Sequence, residues 1–132
     1  MVKEFNWLVR VYYEDTDAGG VVYHARYLAF YERARTEMLR QIGISQDHLL
    51  KKNIAFVVKQ MDINYISAAR LDDLLTVNCK IASLKKASIA FKQTLVNQDN
   101  KMISQANVLI ACVDILKMKP IALPETIAME FM

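Results

Sequence analysis

Glycine and proline are scarce in this sequence, three and two residues in 132. A chain so short of both breakers is expected to run in long regular elements with few interruptions. Cysteine is scarce as well. Cys79 and Cys112 have neither a CxxC partner nor neighbouring histidines, so zinc and dithiol-redox signatures are missing; two reduced thiols packed on strands are expected. No stretch approaches the roughly 18 apolar residues that a membrane-spanning helix needs. Residues 1–20 carry Lys3, Glu4, Arg10, Glu14, Asp15 and Asp17 where a secretory leader would be apolar, which favours a cytoplasmic protein. There is no long block of one charge either. The net charge is +3, with lysines in pairs (Lys51-Lys52, Lys85-Lys86), and no continuous basic stripe marks a nucleic-acid partner.

What is present is an ordinary globular composition, 54% hydrophobic and 23% charged, which rules against disorder. Residues 1–132 fit one domain, able to bury about two thirds of its unfolded surface. Residues 5–14, FNWLVRVYYE, alternate Trp7, Val9, Val11 and Tyr13 against Leu8, Arg10 and Tyr12, and read as a strand. Over 25–42 the period changes: Tyr27, Phe30, Tyr31, Ala34, Met38 and Ile42 recur at helical steps. Glu32, Arg33, Arg35, Glu37 and Arg40 take the other face, and Gly43 is placed to stop the helix. SQDHLLKK reads as a short helical turn capped by Ser45 or Asp47. Four strands follow, IAFVVKQMDINYIS, LLTVNCKIASL, ASIAFKQTLVNQ and KMISQANVLIACVDIL. Their short connectors, AARLDD, KK and DN, favour antiparallel neighbours. The tail, MKPIALPETIAMEF, reads as irregular or a short final turn.

The expected class is α+β in the order β-α-β-β-β-β, with a long antiparallel sheet curled about one central helix. One helix cannot cover both faces and every edge of such a sheet, so a homodimer or homotetramer is expected.

The chemistry concentrates in residues 14–27, EDTDAGGVVYHARY. A calcium loop starting at Asp15 fails, because its fifth ligand would be Gly19 and its twelfth Arg26. Gly19-Gly20 is not followed by Lys-Ser/Thr, no GxGxxG occurs, and no GxSxG offers a serine nucleophile. A carboxylate on a glycine turn that leads into a helix remains. The first turn of a helix carries unpaired N–H groups suited to a carbonyl oxygen, and a carboxylate opposite them can act as base or nucleophile. His24 and Tyr13 add donors. From these residues alone, an Asp-Gly turn whose carboxylates only hold backbone N–H groups is an equal alternative.

The segment YYEDTDAGGVVYHARYLAFYERARTEMLRQIG, with D-x-D-x-x-G-x-V-x-x-x-x-Y running into a helix, resembles the 4-hydroxybenzoyl-CoA thioesterase group of hotdog-fold proteins. Within that group it is similar to the branch associated with the Tol-Pal cell-envelope genes, the YbgC-type acyl-CoA thioesterases. The resemblance implies a hotdog fold, a long helix wrapped by a curled antiparallel sheet, and acyl-CoA hydrolysis. It puts the catalytic carboxylate on Asp17 and the oxyanion donor on the backbone N–H of His24, with the His24 and Tyr13 side chains lining the site. Asp15 is left a structural role. Ala18 stands where some relatives carry Pro, and AARLDD has Ala68 and Ala69 in place of the usual Pro-Ala while keeping Arg70 and Asp72. Gly19 and Gly20 would let the substrate approach, and Val21 and Val22 would dry the carboxylate. Tyr23, Tyr27, Phe56, Val57 and Met61 would face the acyl chain. Lys59, Arg70, Lys85 and Lys86 would meet the CoA phosphates, some of them from a partner subunit. No metal or cofactor is implied, since the CoA thioester is the substrate. Hotdog proteins also include non-hydrolytic acyl binders or scaffolds and dehydratases. Partners in lipid synthesis at the inner membrane come from the resemblance alone.

Overall fold

The computed structural model describes residues 3–132. Strand β1 (Glu4–Arg10) leads through a 3-10 turn (Tyr13–Asp15) into α1 (Arg26–Gln41) and the short α2 (Gln46–Leu50). Then come β2 (Ile54–Tyr65), β3 (Leu74–Leu84), β4 (Ser88–Val96), β5 (Met102–Asp114), β6 (Lys119–Pro120) and α3 (Glu125–Phe131). The sheet order is β1-β3-β4-β5-β2, every pair antiparallel, with β6 on β5. Irregular registers at Val58/Gln60 and Ile81/Ser83 add twist to β2 and β3.

The inward positions of β3 to β5 supply Leu75, Val77, Cys79, Ile89, Phe91, Leu95, Val108 and Ile110, all buried. Against them α1 turns Tyr27, Phe30, Tyr31, Ala34 and Met38, the stripe its period predicts. The helix stops where expected. Gly43 has φ +87°, its N–H bonds the Arg40 carbonyl, and Ile44 N–H bonds the Leu39 carbonyl, a complete Schellman ending. Ser45 caps α2 by accepting from His48 N–H.

Four expectations need correction. The first strand ends at Arg10, not at residue 14, because the Tyr12 N–H is taken by the Asp15 carboxylate (2.8 Å) and the chain turns. Strands β2 and β3 are not neighbours. Residues 66–73 carry the chain across the open end of the curled sheet, Ser67 bonding the Ile103 carbonyl and Ala69 bonding the Tyr27 hydroxyl. The tail is more ordered than expected: β6 pairs with Val113 and Asp114, and α3 drives Ile127 and Phe131 into the core.

The fourth concerns Arg35, which is only 6% exposed and lies inside, not on the polar face. Its guanidinium donates to Gln93 Oε1 (2.9 Å); Gln93 Nε2 in turn donates to the Tyr31 carbonyl (3.0 Å) and to Cys79 Sγ (2.9 Å). The Tyr31 hydroxyl donates to Ser104 (2.8 Å), so the buried polar groups under the helix are paired. Burial pushes the Cys79 thiol up to about 11 and raises that of Cys112. Both cysteines are free, buried on strands and protonated at neutral pH, so neither is an activated nucleophile.

Candidate active site

The site is built on the turn between β1 and α1. Asp15, 5% exposed, anchors it: one carboxylate oxygen accepts the Tyr12 N–H, the other lies 3.3 Å from Arg26 Nε. Arg26 also donates to the Glu14 carbonyl (3.3 Å), so the first residue of α1 is tied to the 3-10 turn twelve residues earlier. The residue that defeats a calcium loop in the sequence is thus the cation that Asp15 binds.

Beyond Asp15 the chain forms a tight reversal. Thr16 pairs with Val22, Asp17 N–H bonds the Val21 carbonyl (2.9 Å), and Gly20 N–H bonds the Asp17 carbonyl (3.0 Å). Gly20 has φ +78°, a backbone conformation costly for any residue with a side chain. Asp17 Oδ1 accepts the Gly19 N–H at 2.8 Å, which orients the carboxylate and leaves Oδ2 free. Gly19 is held to its size by the same contact, since a methyl group there would meet Asp17 Oδ1 at 3.2 Å.

The chain then turns into the helix. Tyr23 N–H bonds the Asp15 carbonyl and Arg26 N–H bonds the Tyr23 carbonyl (2.8 Å). His24 and Ala25 lie in this leading turn, and among the described residues no acceptor takes either N–H. Two unpaired donors therefore stand at the positive end of a 16-residue helix. Asp17, Tyr23, Ala25, Arg26, Thr16, Glu14 and Ala29 line one groove of about 410 Å³. Asp17, whose second carboxylate oxygen has no partner among the described residues, thus shares a groove with Ala25, one of the two residues at the helix start with an unpaired N–H.

The β2–β3 connection backs this unit. Val22 N–H bonds the Ala69 carbonyl (2.9 Å), Val21 bridges to Arg70, and the Tyr27 hydroxyl accepts the Ala69 N–H (3.1 Å). Burial pushes the Tyr27 phenol up, the Ala69 bond opposes that, and Tyr65, Asp73 and Asp17 add to the rise.

Of the residues named from sequence, Asp17 lines the groove, Gly19 and Gly20 shape its turn, and Val22, Tyr27 and Arg70 back it, whereas His24 leads into α1 beside the groove and is not among its lining residues. Tyr13 sits on the 3-10 turn, 82% exposed, outside the groove lining. Val57 and Lys59 lie along β2, Lys59 roughly 20 Å from its Tyr65 end at about 3.3 Å per residue. Lys85 and Lys86 follow β3 at its far end from Arg70, and Lys85 lines a separate hollow of about 300 Å³ with Gln60 and Asp62. Sequence reasoning missed Tyr65, whose hydroxyl donates to the His24 carbonyl, and the Asp15–Arg26 pair. The latter had a readable signal, an acid and a base flanking the same turn; the former had none.

A family model described as the thioesterase superfamily matches residues 19–104. The acyl-CoA thioester hydrolase YbgC of Escherichia coli O157:H7 is 57% identical over 127 residues, 96% of this chain and 95% of that protein. The acyl-CoA thioesterase YbgC of Haemophilus influenzae is 54% identical over 96% of this chain and 93% of its own length. Among solved structures, a probable thioesterase from Bartonella henselae superposes with TM-score 0.82 at 38% identity, over 93% of this chain and 100% of that one. A 1,4-dihydroxy-2-naphthoyl-CoA thioesterase from Synechocystis reaches TM-score 0.92 at 21% identity, over 97% and 95% of the two chains, and speaks for the fold alone.

Proposed function

This chain belongs to the thioesterase superfamily, and on that premise we propose that it is an acyl-CoA thioester hydrolase whose working carboxylate is Asp17. The observation that carries the reading is the groove that the Asp17 carboxylate, held by Gly19 N–H, shares with Ala25, whose N–H and that of the preceding His24 are unpaired among the described residues. The thioester carbonyl oxygen takes a hydrogen bond from the His24 end of that turn, where the helix dipole adds to the pull on developing negative charge.

Asp17 Oδ2 then acts in one of two balanced ways. It adds to the acyl carbon, the C–S bond breaks, CoA leaves as thiolate and takes a proton from solvent, and water cleaves the resulting anhydride. Alternatively it takes a proton from a water that adds to the same carbon; the adduct then collapses, the C–S bond breaks, and the departing CoA thiolate takes up a proton from Asp17 or solvent. A single turnover in ¹⁸O water followed by mass analysis of the protein separates the two. Label in the Asp17 carboxylate is the mark of the anhydride route and rules out a pure general base. The class itself is tested by thiol release over a series of acyl-CoA chain lengths. Free CoA from at least one member is expected; none from any member would leave an acyl-binding or scaffold protein.

Asp17 lies exposed in a single chain, so drying the thioester falls to the substrate and to a second subunit. A homodimer or homotetramer is therefore part of this reading. It would place Val57, Lys59, Lys85 and Lys86 of one copy at the disposal of another copy's acyl-CoA. The unpaired edge of β2 offers a place for a second strand. No helix among the described residues is long and apolar enough to cross a membrane. The cytoplasmic location, the independence from any cofactor and the link to Tol-Pal and inner-membrane lipid synthesis belong to the proposal; the first rests on the charged residues among positions 1–20, the last on the resemblance alone.

Gly19→Ala tests the geometry without replacing a catalytic side chain. Its added methyl must displace the Asp17 carboxylate or itself, so kcat should fall roughly tenfold while the melting temperature stays near that of the wild type. Full activity in this variant would mean that the Gly19 contact does not hold Asp17 in its working position.

A further inference from the structure

We propose that Tyr65 is a positioning residue for the oxyanion site, an inference that rests on the hydrolase reading above. Tyr65 is the last residue of β2, paired with Ser104, and it is 41 residues from the turn it meets. Its hydroxyl donates to the His24 carbonyl oxygen at 3.2 Å. Its ring stands edge-on to the His24 imidazole, with centroids 6.1 Å apart and planes at 88°, and lies tilted against Tyr27 at 5.6 Å. Tyr23 closes on the other side of His24, with centroids 4.6 Å apart.

The consequence follows from peptide geometry. The His24 carbonyl and the Ala25 N–H belong to one rigid planar unit, so fixing the oxygen fixes the direction of that N–H. Holding this unit also restrains the neighbouring His24 N–H, since only the dihedral angles of His24 connect the two. Both N–H groups lack an acceptor among the described residues, and Ala25 lines the groove with Asp17. Donation to the carbonyl further polarises the amide and strengthens its N–H as a donor. At 47% exposure, Tyr65 contributes little to the core. Its hydroxyl is spent on one backbone carbonyl at the helix start. The residue therefore sets the aim of the oxyanion donors without touching the reacting atoms.

Tyr65→Phe keeps the ring and removes the hydroxyl. In acyl-CoA hydrolysis, kcat should fall roughly 3- to 10-fold, the worth of one neutral hydrogen bond, with KM within about twofold and the melting temperature unchanged. In the ¹⁵N–¹H spectrum of the same variant, the Ala25 amide should move, a readout independent of turnover. Wild-type kcat in the variant would overturn the proposal. So would a kcat that falls together with the melting temperature while the Ala25 amide stays in place, since that is a packing role only. If the wild-type protein releases no CoA, the hydrolase reading fails and the role of Tyr65 fails with it. That outcome shows in the wild type alone, so the two failures are told apart.

Discussion

Asp17→Asn should lower kcat by about 10²–10⁴ and leave thermal stability and KM close to wild type, the usual worth of one positioned acid, base or nucleophile. The substitution is nearly isosteric, and an asparagine Oδ1 can still accept the Gly19 N–H that Asp17 now holds at 2.8 Å. The reversal from Thr16 to Val22 is otherwise made of backbone bonds and survives. What disappears is the negative oxygen that, on the proposed reading, attacks the acyl carbon or takes a proton from water. A loss confined to kcat is therefore the signature, measured by steady-state CoA release on a variant shown to be folded. Turnover near the wild-type rate would remove Asp17 from the chemistry.

Asp15→Ala should do the reverse. It leaves the Tyr12 N–H without its acceptor and the Arg26 guanidinium with only the Glu14 carbonyl. A partly buried donor stripped of its partner, together with a broken and partly exposed ion pair, is worth about 1–2 kcal/mol. The lost stability should appear as a lower midpoint in urea, with kcat of the folded protein within several-fold of wild type. With both outcomes, two aspartates separated by one threonine would split into a catalytic and a structural carboxylate. An unchanged midpoint with a collapsed kcat would exchange their roles.

The two roles differ in how far they could be seen in advance. Helix α1 was legible because its apolar residues keep one period from Tyr27 to Met38 and because Gly43 stops it with positive φ. Strand β3 was legible to the residue, Leu74 to Leu84. The end of β1 was not, since Tyr12 and Tyr13 favour strands and only the Asp15 carboxylate, acting across the turn, withdraws them. Arg35 was misplaced because charge alone assigned it to water, whereas Gln93, 58 positions away, gives it a buried acceptor. The order of β2 and β3 depends on how far the sheet curls, which a connector's length does not reveal. Helix α3 had a signal that was passed over: Pro124 and Glu125 open it, and Ile127 and Phe131 stand four apart on one face. At the site, Asp17 and His24 share one local segment, and their roles came with its resemblance to a known family. Tyr65 could not be found that way, because only the folded sheet brings it to the His24 carbonyl.

The central claim is spatial: a thioester lies between the carboxylate of residue 17 and the N–H groups that open α1. A crystal structure of the Asp17→Asn protein with an intact acyl-CoA tests it most directly. The account predicts the thioester oxygen within hydrogen-bond reach of the N–H of His24 or Ala25, with the acyl carbon facing the side chain of residue 17. A thioester seated away from the groove of Asp17, Tyr23 and Ala25, with those N–H groups still unpaired, would contradict it.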